Sequence, residues 1–250
     1  MLPRVQVPAW QGIRGLVHGF LGRHGGVSAG DCASLNLSAS VEDASTALES
    51  NWDRVRREFP GIVMVTMRQV HGAQVVRVDQ ATTEIGPADG LITRACGVGL
   101  GVLTADCVPI LMIAPRERIA LAVHAGWRGT LAGIAHAAVG AAQHEFGIRA
   151  TELLAALGPA IGGCCYEVEA HIGAELEDRW GRMPEAWRRH GDRGSLDLRQ
   201  ANLAILAAAG VSPGSIAAVG PCTACRPAEY FSHRGAGGRT GRQLSFVGWQ

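Results

Sequence analysis

The chain has 250 residues, of which 47% are hydrophobic and 18% are charged. This balance is typical of a globular protein with a full core, and it excludes extensive disorder. With 23 basic and 22 acidic residues the net charge is +1, which excludes the strongly basic class of nucleic-acid and membrane-surface proteins. All basic residues are arginine, so mechanisms that need a catalytic lysine are excluded, and anions must be bound by arginine or by backbone amides.

The sequence contains no segment typical of export or membrane insertion. Residues 1–20 lack a continuous apolar stretch, and the most apolar run, 96–114, is interrupted by Asp106 and Pro109. The seven cysteines are an odd number, so in the absence of an export signal we expect free thiols in a cytoplasmic protein. The composition predicts neither a membrane nor a nucleic-acid partner, and it allows a monomer or a homodimer.

Apolar residues that recur every three or four positions predict three helices. Ser40 is a suitable N-cap for the first helix, and Pro60 is expected to end it. Gly147 and Gly210 follow the second and third helices at positions where glycine commonly ends a helix. The predicted helices are 41–59, 129–146 and 197–209.

Short apolar and β-branched runs predict strands before, between and after these helices. The arginine-rich stretch 179–199 is expected to be a surface connection. Many strands in succession, with helices between the blocks, predict an α/β or α+β fold with mixed sheets and flanking helices, in a single domain over 1–250. The predicted strands are 13–20, 62–67, 74–78, 90–93, 98–104, 108–113, 118–123, 153–157, 216–219, 229–233 and 243–248.

Three short segments place a histidine or a cysteine at the edge of an apolar strand, beside glycine or proline. They are Arg68–Gly72, Thr104–Pro109 and Val123–Gly129, and they contain His71, Cys107 and His124. Two imidazoles and one thiolate are a ligand set that suits zinc, and three protein ligands would leave a position open for substrate. Each of these side chains could equally be a packing or surface residue, because the spacings match no short-range zinc motif.

Longer segments around these residues resemble the YfiH-like family, once labelled multicopper polyphenol oxidase or laccase. The resemblance covers nearly the whole chain, and its segments occur in order. The segments are "RQVHGAQV", "ADGLIT", "TADCVPIL", "VHAGWRGT", "GPAIGGCCYEV" and "TGRQLSFV".

The resemblance implies a single α/β domain related to the cytotoxic-necrotizing-factor deamidases. It implies that His71, Cys107 and His124 bind a metal, read in this family as zinc. It also implies phosphorolysis of adenosine, inosine, guanosine and methylthioadenosine, with deamination of adenosine as a second activity. The expected partners are therefore a purine nucleoside and phosphate.

Zinc deaminases also use a carboxylate to move protons. Glu167 is the first candidate for this role and Asp106 the second, although Glu167 could simply face solvent near the start of a helix.

Phosphorolysis needs a cation to bind phosphate, and only arginine is available. Arg23 and Arg128 are the candidates, although Arg128 could instead hold its own loop. Gln69 and Asn36 could bind the base or the ribose, or could cap their own turns.

Three other interpretations remain open at this stage. Cys107 could be a catalytic nucleophile with His124 as its base, in an amide hydrolase that edits peptidoglycan precursors. Copper could substitute for zinc and support a polyphenol oxidase activity, although the chain has no His-x-His pair. The metal could also stabilise a non-enzymatic interaction module, which would need a fourth protein ligand.

The remaining cysteines occur as two pairs. Cys164-Cys165 could bind a soft metal in vitro, but we expect a packing pair. Cys222-x-x-Cys225 is at best half of a zinc ribbon, and we expect buried or redox-sensitive thiols there.

Overall fold

The computed structural model of the protein describes residues 1–81 and 85–250. Within these residues the chain forms sixteen strands and five α-helices. The strands are β1 (Arg4–Val5), β2 (Leu16–Leu21), β3 (Val63–Val65), β4 (Met67–Arg68), β5 (Val75–Arg77), β6 (Ile85–Pro87), β7 (Gly90–Thr93), β8 (Val98–Thr104), β9 (Val108–Ala114), β10 (Ile119–Ala125), β11 (Leu154–Leu157), β12 (Glu167–Glu169), β13 (Trp187–His190), β14 (Arg193–Leu196), β15 (Ile216–Ala218) and β16 (Gln243–Trp249). The helices are α1 (Ser45–Glu58), α2 (Trp127–Ala132), α3 (Ile134–Phe146), α4 (Ala170–Trp180) and α5 (Leu198–Ala208).

The strands form two large sheets and two small ones. The five-stranded sheet has the order β1-β2-β16-β8-β3, and the six-stranded sheet has the order β15-β11-β9-β10-β7-β5. Both sheets are mixed. In the first, β3 is parallel to β8 while the other pairs are antiparallel. In the second, β5 is parallel to β7 and β15 is parallel to β11, while the other pairs are antiparallel. The mixed-sheet α/β fold predicted from the sequence is therefore confirmed.

The two large sheets pack against each other, and the outer face of each is covered by at least one helix. Strand β9 shows how the sequence builds this arrangement. Leu111 and Ile113 point to the cluster between the sheets, whereas Ile110 and Met112 point to the cluster shared with α3 and α5. Because both faces of β9 are buried, its sequence is an uninterrupted apolar run. Helix α1 covers the outer face of the five-stranded sheet.

Two of the predicted helices differ from the structure. The first begins at Ser45 rather than 41, because the Asp43 carboxylate accepts hydrogen bonds from Ser28 and Asn36 and keeps this stretch out of the helix. The second is divided at Gly133, which has a φ of +88° and separates α2 from α3. The third, predicted at 197–209, agrees with α5 to within a residue at each end.

The strand predicted at 229–233 is wrong. Phe231 is buried there, but its backbone N–H and C=O bond the side-chain amide of Gln243 instead of a neighbouring strand. The expected surface connection 179–199 is also wrong, because it contains the hairpin β13–β14, which pairs with β12. Trp187 anchors the hairpin by packing on Gly173 and Gly194, where a Cβ would collide with its ring.

Helix α4 has no counterpart in the sequence prediction. Its N-cap is Glu169, which is not one of the preferred capping residues and makes no side-chain cap hydrogen bond, so the sequence carries no start signal there. Among the described residues no helix combines the length and hydrophobicity needed to cross a bilayer. The single-domain boundary at 1–250 and the choice between monomer and homodimer stay predictions.

Candidate metal centre and its cavity

The register of three adjacent strands places Asp89, His124 and Cys107 side by side. In the β9–β10 pair His124 lies opposite Pro109, so that it neighbours Cys107, the residue before β9. In the β10–β7 pair Val123 lies opposite Gly90, and the backbone N–H of His124 donates to the carbonyl of Asp89 at 2.7 Å. Residues 35 positions apart in sequence are thus fixed by ordinary antiparallel pairing.

The third member, His71, lies on the loop between β4 and β5 and is held by the same Asp89. The carboxylate of Asp89 accepts the backbone N–H groups of Val70, His71 and Gly72 at 3.2, 2.9 and 2.6 Å. His71 itself has a φ of +59°, in the left-handed region that few non-glycine residues adopt. The carboxylate of Asp89 therefore positions two histidines at once: it bonds the backbone N–H of His71 and the ring nitrogen Nδ1 of His124.

His71, Cys107 and His124 form one group whose ligand atoms lie within 4.8 Å of one another. The Sγ of Cys107 is 4.0 Å from Nε2 of His71. A tetrahedral zinc, with bonds of about 2.3 Å to sulfur and about 2.0 Å to nitrogen, would hold such atoms roughly 3.5 Å apart. Small side-chain rotations would therefore fit a metal ion here.

The buried carboxylate also orients His124 for metal binding. Asp89 accepts a hydrogen bond from Nδ1 of His124 at 2.8 Å, which leaves Nε2 as the free ligand atom. A carboxylate behind a ligating histidine is the usual arrangement in zinc sites. The three residues can bind a metal ion, and the group contains no fourth histidine, cysteine or acidic residue among those described.

Space for the group is made by Gly126. A Cβ at this position would lie 2.8 Å from Cδ2 of His71 and 3.0 Å from Sγ of Cys107. Its φ of −77° and ψ of 175° are open to any residue, so glycine is required here by close packing and not by backbone conformation.

Cys107 and His124 shift each other's pKa. Burial raises the pKa of the Cys107 thiol, but the adjoining His124 and His71 outweigh burial and lower this pKa to about 6. Burial lowers the pKa of His124, but the Cys107 thiolate and the Asp89 carboxylate raise it to about 9. The thiolate is the form that binds a metal, and a metal ion would replace the imidazole proton.

The group opens onto a cavity of about 630 Å³, within the usual size range of small-molecule sites. Its walls combine apolar side chains, among them Met67, Leu103, Trp127 and Tyr166, with hydroxyls from Ser38 and Ser40. Four arginines contribute the positive charge. They are Arg68, Arg128, Arg234 and Arg242.

Besides the three candidate metal ligands, three of the six other residues predicted from the sequence line this cavity. Arg128 is exposed and stacks on Trp127. Gln69 reaches the cavity, but its amide both donates to and accepts from the backbone of Leu103 at 2.8 Å. Asp106 is buried with a φ of +89°, and its carboxylate accepts from the Thr223 hydroxyl and the Arg234 backbone N–H at 2.7 and 2.6 Å.

The other three lie outside the cavity lining. Arg23 donates to the carbonyls of Ala33 and Pro227, both at 2.7 Å, so its guanidinium joins two loops. Glu167 is exposed and forms an ion pair with Arg193.

Asn36 is fully buried and does not line the cavity. Its Oδ1 accepts the backbone N–H groups of Ser38 and Arg242, two residues that line the cavity. Asn36 thus helps to hold two residues of the cavity wall, and its contact with base or ribose stays a prediction.

Sequence reasoning missed the residue that organises the centre, Asp89. The signal was present, because Asp89 lies in the segment "ADGLIT" immediately before a predicted strand. It also missed Tyr166, Arg234 and Arg242, which reach the cavity from distant parts of the chain. Tyr166 and Arg242 lie in the segments "GPAIGGCCYEV" and "TGRQLSFV", whereas Arg234 lies in none of the quoted segments.

Comparisons with known proteins find relatives that cover most of the chain. A family profile described as multi-copper polyphenol oxidoreductase laccase matches residues 17–250. The purine nucleoside phosphorylase YlmD of Geobacillus stearothermophilus is 38% identical over 247 residues, covering 94% of this chain and 90% of the relative. The adenosine deaminase RL5, from an unknown prokaryotic organism, is 34% identical over 202 residues, covering 74% of each chain.

Solved structures show the same fold. The crystal structure of YlmD from G. stearothermophilus matches with a TM-score of 0.90 at 37% identity, covering 95% of this chain and 93% of the other. The hypothetical protein YfiH of Bacillus licheniformis matches with a TM-score of 0.92 at 28% identity, covering 100% and 97%. The resemblance seen in the sequence is confirmed, and the chain belongs to the YfiH-like family that carries the laccase description.

Proposed function

We propose that the protein is a zinc-dependent purine nucleoside phosphorylase that also deaminates adenosine. The observation that carries the proposal is the three-residue His/Cys group opening onto an arginine-lined cavity of about 630 Å³. The names of YlmD and RL5, which share 38% and 34% of their aligned residues with this chain, support both activities. Adenosine, inosine, guanosine and methylthioadenosine are the proposed substrates, each with phosphate as the acceptor.

His71, Cys107 and His124 would hold the zinc ion, because two imidazoles and a thiolate suit this borderline-soft cation. When bound, zinc supplies Lewis-acid chemistry at the floor of the cavity. Asp89 keeps the ligands in place, since it bonds the ring of His124 and the backbone of the His71 loop.

Phosphate binding is assigned to the arginines of the cavity. Arg128 is the first candidate, because it is exposed, lines the cavity and follows His124 by four positions. Arg234 and Arg242 are held from behind by hydrogen bonds to the carbonyls of Glu167 and Thr240, at 2.8 Å each, which fixes their positions. A planar guanidinium pairs well with two oxygens of one phosphate.

The purine would stack on the aromatic walls formed by Trp127 and Tyr166. For proton transfer we infer Asp106 in preference to Glu167. Asp106 lines the cavity beside Cys107, whereas the Glu167 carboxylate pairs with Arg193 outside it.

The test is a product assay with zinc-loaded protein and adenosine, with and without inorganic phosphate. Adenine that forms only with phosphate would support phosphorolysis, and inosine that forms without phosphate would support deamination. His71→Ala should abolish both activities, whereas His190→Ala, which removes an exposed histidine from β13, should leave them unchanged. Unchanged adenosine in both reactions would contradict the proposal.

A second candidate function has its own observation. Asp89, His124 and Cys107 lie in the order of an Asp-His-Cys triad, with the carboxylate 2.8 Å from Nδ1 of the histidine. This arrangement would suit an amide hydrolase acting on peptidoglycan precursors. Here His71 separates the two proposals, because a triad does not need it: amide hydrolysis that survives in His71→Ala would favour the hydrolase.

The polyphenol oxidase alternative has less support from the site. The two metal-competent groups of the described residues contain only two histidines in total, and the second group consists of cysteines. Copper could occupy the His/Cys site in place of zinc. Such an oxidase activity should then disappear when protein is prepared with zinc alone.

A further inference from the structure

Two cysteine pairs that are far apart in the sequence meet at one place in the fold. Strands β11 and β15 run parallel, and their pairing continues as a bridge between Ala160 and Cys222. Because parallel strands end at the same edge of a sheet, the turns that follow β11 and β15 lie next to each other. Cys164 and Cys165 lie on the first turn, and Cys222 and Cys225 begin and end the second.

The four Sγ atoms form a compact group, all within 4.8 Å of one another. Sγ of Cys225 is 3.6 Å from that of Cys164 and 3.4 Å from that of Cys165. A tetrahedral zinc with bonds of about 2.3 Å to sulfur separates its ligands by roughly 3.8 Å. The four thiols thus already have close to the spacing that a metal ion would impose.

We propose that Cys164, Cys165, Cys222 and Cys225 form a second, structural zinc site with four thiolate ligands. Four protein ligands close the coordination shell, which distinguishes a structural site from the open three-ligand group. The expectation of a packing pair at Cys164-Cys165 and of buried thiols at Cys222-x-x-Cys225 is wrong, because Cys164 and Cys225 are exposed and the other two are half-buried. A metal ion can therefore reach them from solvent. Redox sensitivity of Cys222 and Cys225 stays a prediction.

A backbone amide points at one of the four sulfurs. Gly162 donates its backbone N–H to Sγ of Cys222 at 3.3 Å. Hydrogen bonds of this kind orient a ligand atom towards a metal.

The proposed metal would stabilise one wall of the main cavity, because both cysteine turns adjoin residues that form or support this wall. Thr223, next to Cys222, donates its hydroxyl to Asp106. Tyr166, next to Cys165, lines the cavity, and its backbone carbonyl accepts the N–H of Leu196. The second zinc ion would thus stabilise the folded cavity wall. This proposal does not depend on which reaction the first site catalyses.

The test is metal stoichiometry, measured by mass spectrometry of the ions in protein purified anaerobically with zinc. We expect two zinc ions per chain in the wild type, one in Cys222→Ser and in Cys225→Ser, and one in His71→Ala. Cys96→Ser removes an exposed cysteine outside the group and should keep two. One zinc per chain in the wild type, unchanged in Cys225→Ser, would overturn the proposal.

A second measurement on the wild type does not depend on how well the variants fold. Zinc-loaded protein is treated with iodoacetamide before and after chelation, and the modified cysteines are identified by peptide mass spectrometry. The proposal predicts that Cys96 reacts in both samples, whereas Cys164 and Cys225 react only after chelation. Equal modification in both samples, or a disulfide between any two of the four, would overturn it.

Discussion

Gly126 shows at the scale of a single residue how the metal centre depends on packing. Replacing it by alanine would place a methyl group 2.8 Å from the His71 ring and 3.0 Å from the Cys107 sulfur. The backbone conformation accepts alanine, so we expect a folded protein whose ligands are pushed apart. Gly126→Ala should therefore weaken zinc binding by about tenfold or more, the scale on which displaced supporting groups act. Competition with a chelating dye would measure the change.

Gly140 provides the matched control. It lies inside α3, is exposed, and has open space where a Cβ would be added. Gly140→Ala should leave zinc binding unchanged and stabilise the protein by about 0.5–1 kcal/mol, because alanine has the higher helix propensity. If both variants bound zinc like the wild type, the contact at Gly126 would not control the centre.

Individual site residues also show how much of the site could be predicted from the sequence. His71, Cys107 and His124 could be singled out because each lies in a distinctive segment at a strand edge. Asp89 also lies in such a segment, but its role could not be predicted, because that role depends on the register of β7 against β10 and on the loop that folds over its carboxylate. The exclusion of Arg23 and Glu167 from the cavity likewise follows from hydrogen bonds and ion pairs that no local pattern reveals.

At the scale of an element, α5 depends on its N-cap. The carboxylate of Asp197 accepts the backbone N–H groups of Arg199 and Gln200 at 2.9 and 3.1 Å. Helix α5 packs its apolar face into the core beneath the six-stranded sheet. Asp197→Ala should therefore lower the free energy of unfolding by about 1 kcal/mol, the usual cost of losing a side-chain cap. The midpoint of urea unfolding measures this change.

Two further variants test the capping explanation. Asp197→Ser keeps an oxygen that can accept from the first turn, so it should recover most of the lost stability. Asp192→Ala removes an exposed carboxylate from the preceding hairpin turn and should unfold like the wild type. Equal destabilisation by alanine and serine at 197 would contradict a capping role.

Elements were predictable where local pattern and tertiary environment agree. Strands β8, β9 and β10 are buried on both faces, so their apolar runs match their observed bounds closely. The division between α2 and α3 was not predictable, because Gly133 reads as a tolerated helix residue and its turn is stabilised by Trp180 packed against it. The pair of cysteine turns was equally hidden, since only the β11–β15 pairing brings them together.

For the whole molecule, a buried histidine links stability to pH. His18 on β2 is 2% exposed, and its Nε2 accepts the backbone N–H of Val7 at 3.0 Å, which requires a neutral ring. Burial, with a smaller effect from the nearby Arg4, lowers its pKa from 6.5 to about 4. In the unfolded chain the same ring is free to bind a proton at its ordinary pKa. Stability is therefore full above pH 6.5 and falls as the pH drops towards 4.

This difference in pKa predicts a loss of about 3 kcal/mol of unfolding free energy across that window, at about 1.4 kcal/mol for each pH unit. His18→Gln keeps an acceptor for the Val7 N–H but cannot titrate, so its stability should fall much less between pH 7.5 and 4.5. The exposed His144→Gln should follow the wild type. Urea unfolding of metal-free protein at several pH values measures all three. The remaining titratable groups are the same in the wild type and in His18→Gln. If the two plots of unfolding free energy against pH were parallel, His18 would not be the cause of the loss of stability.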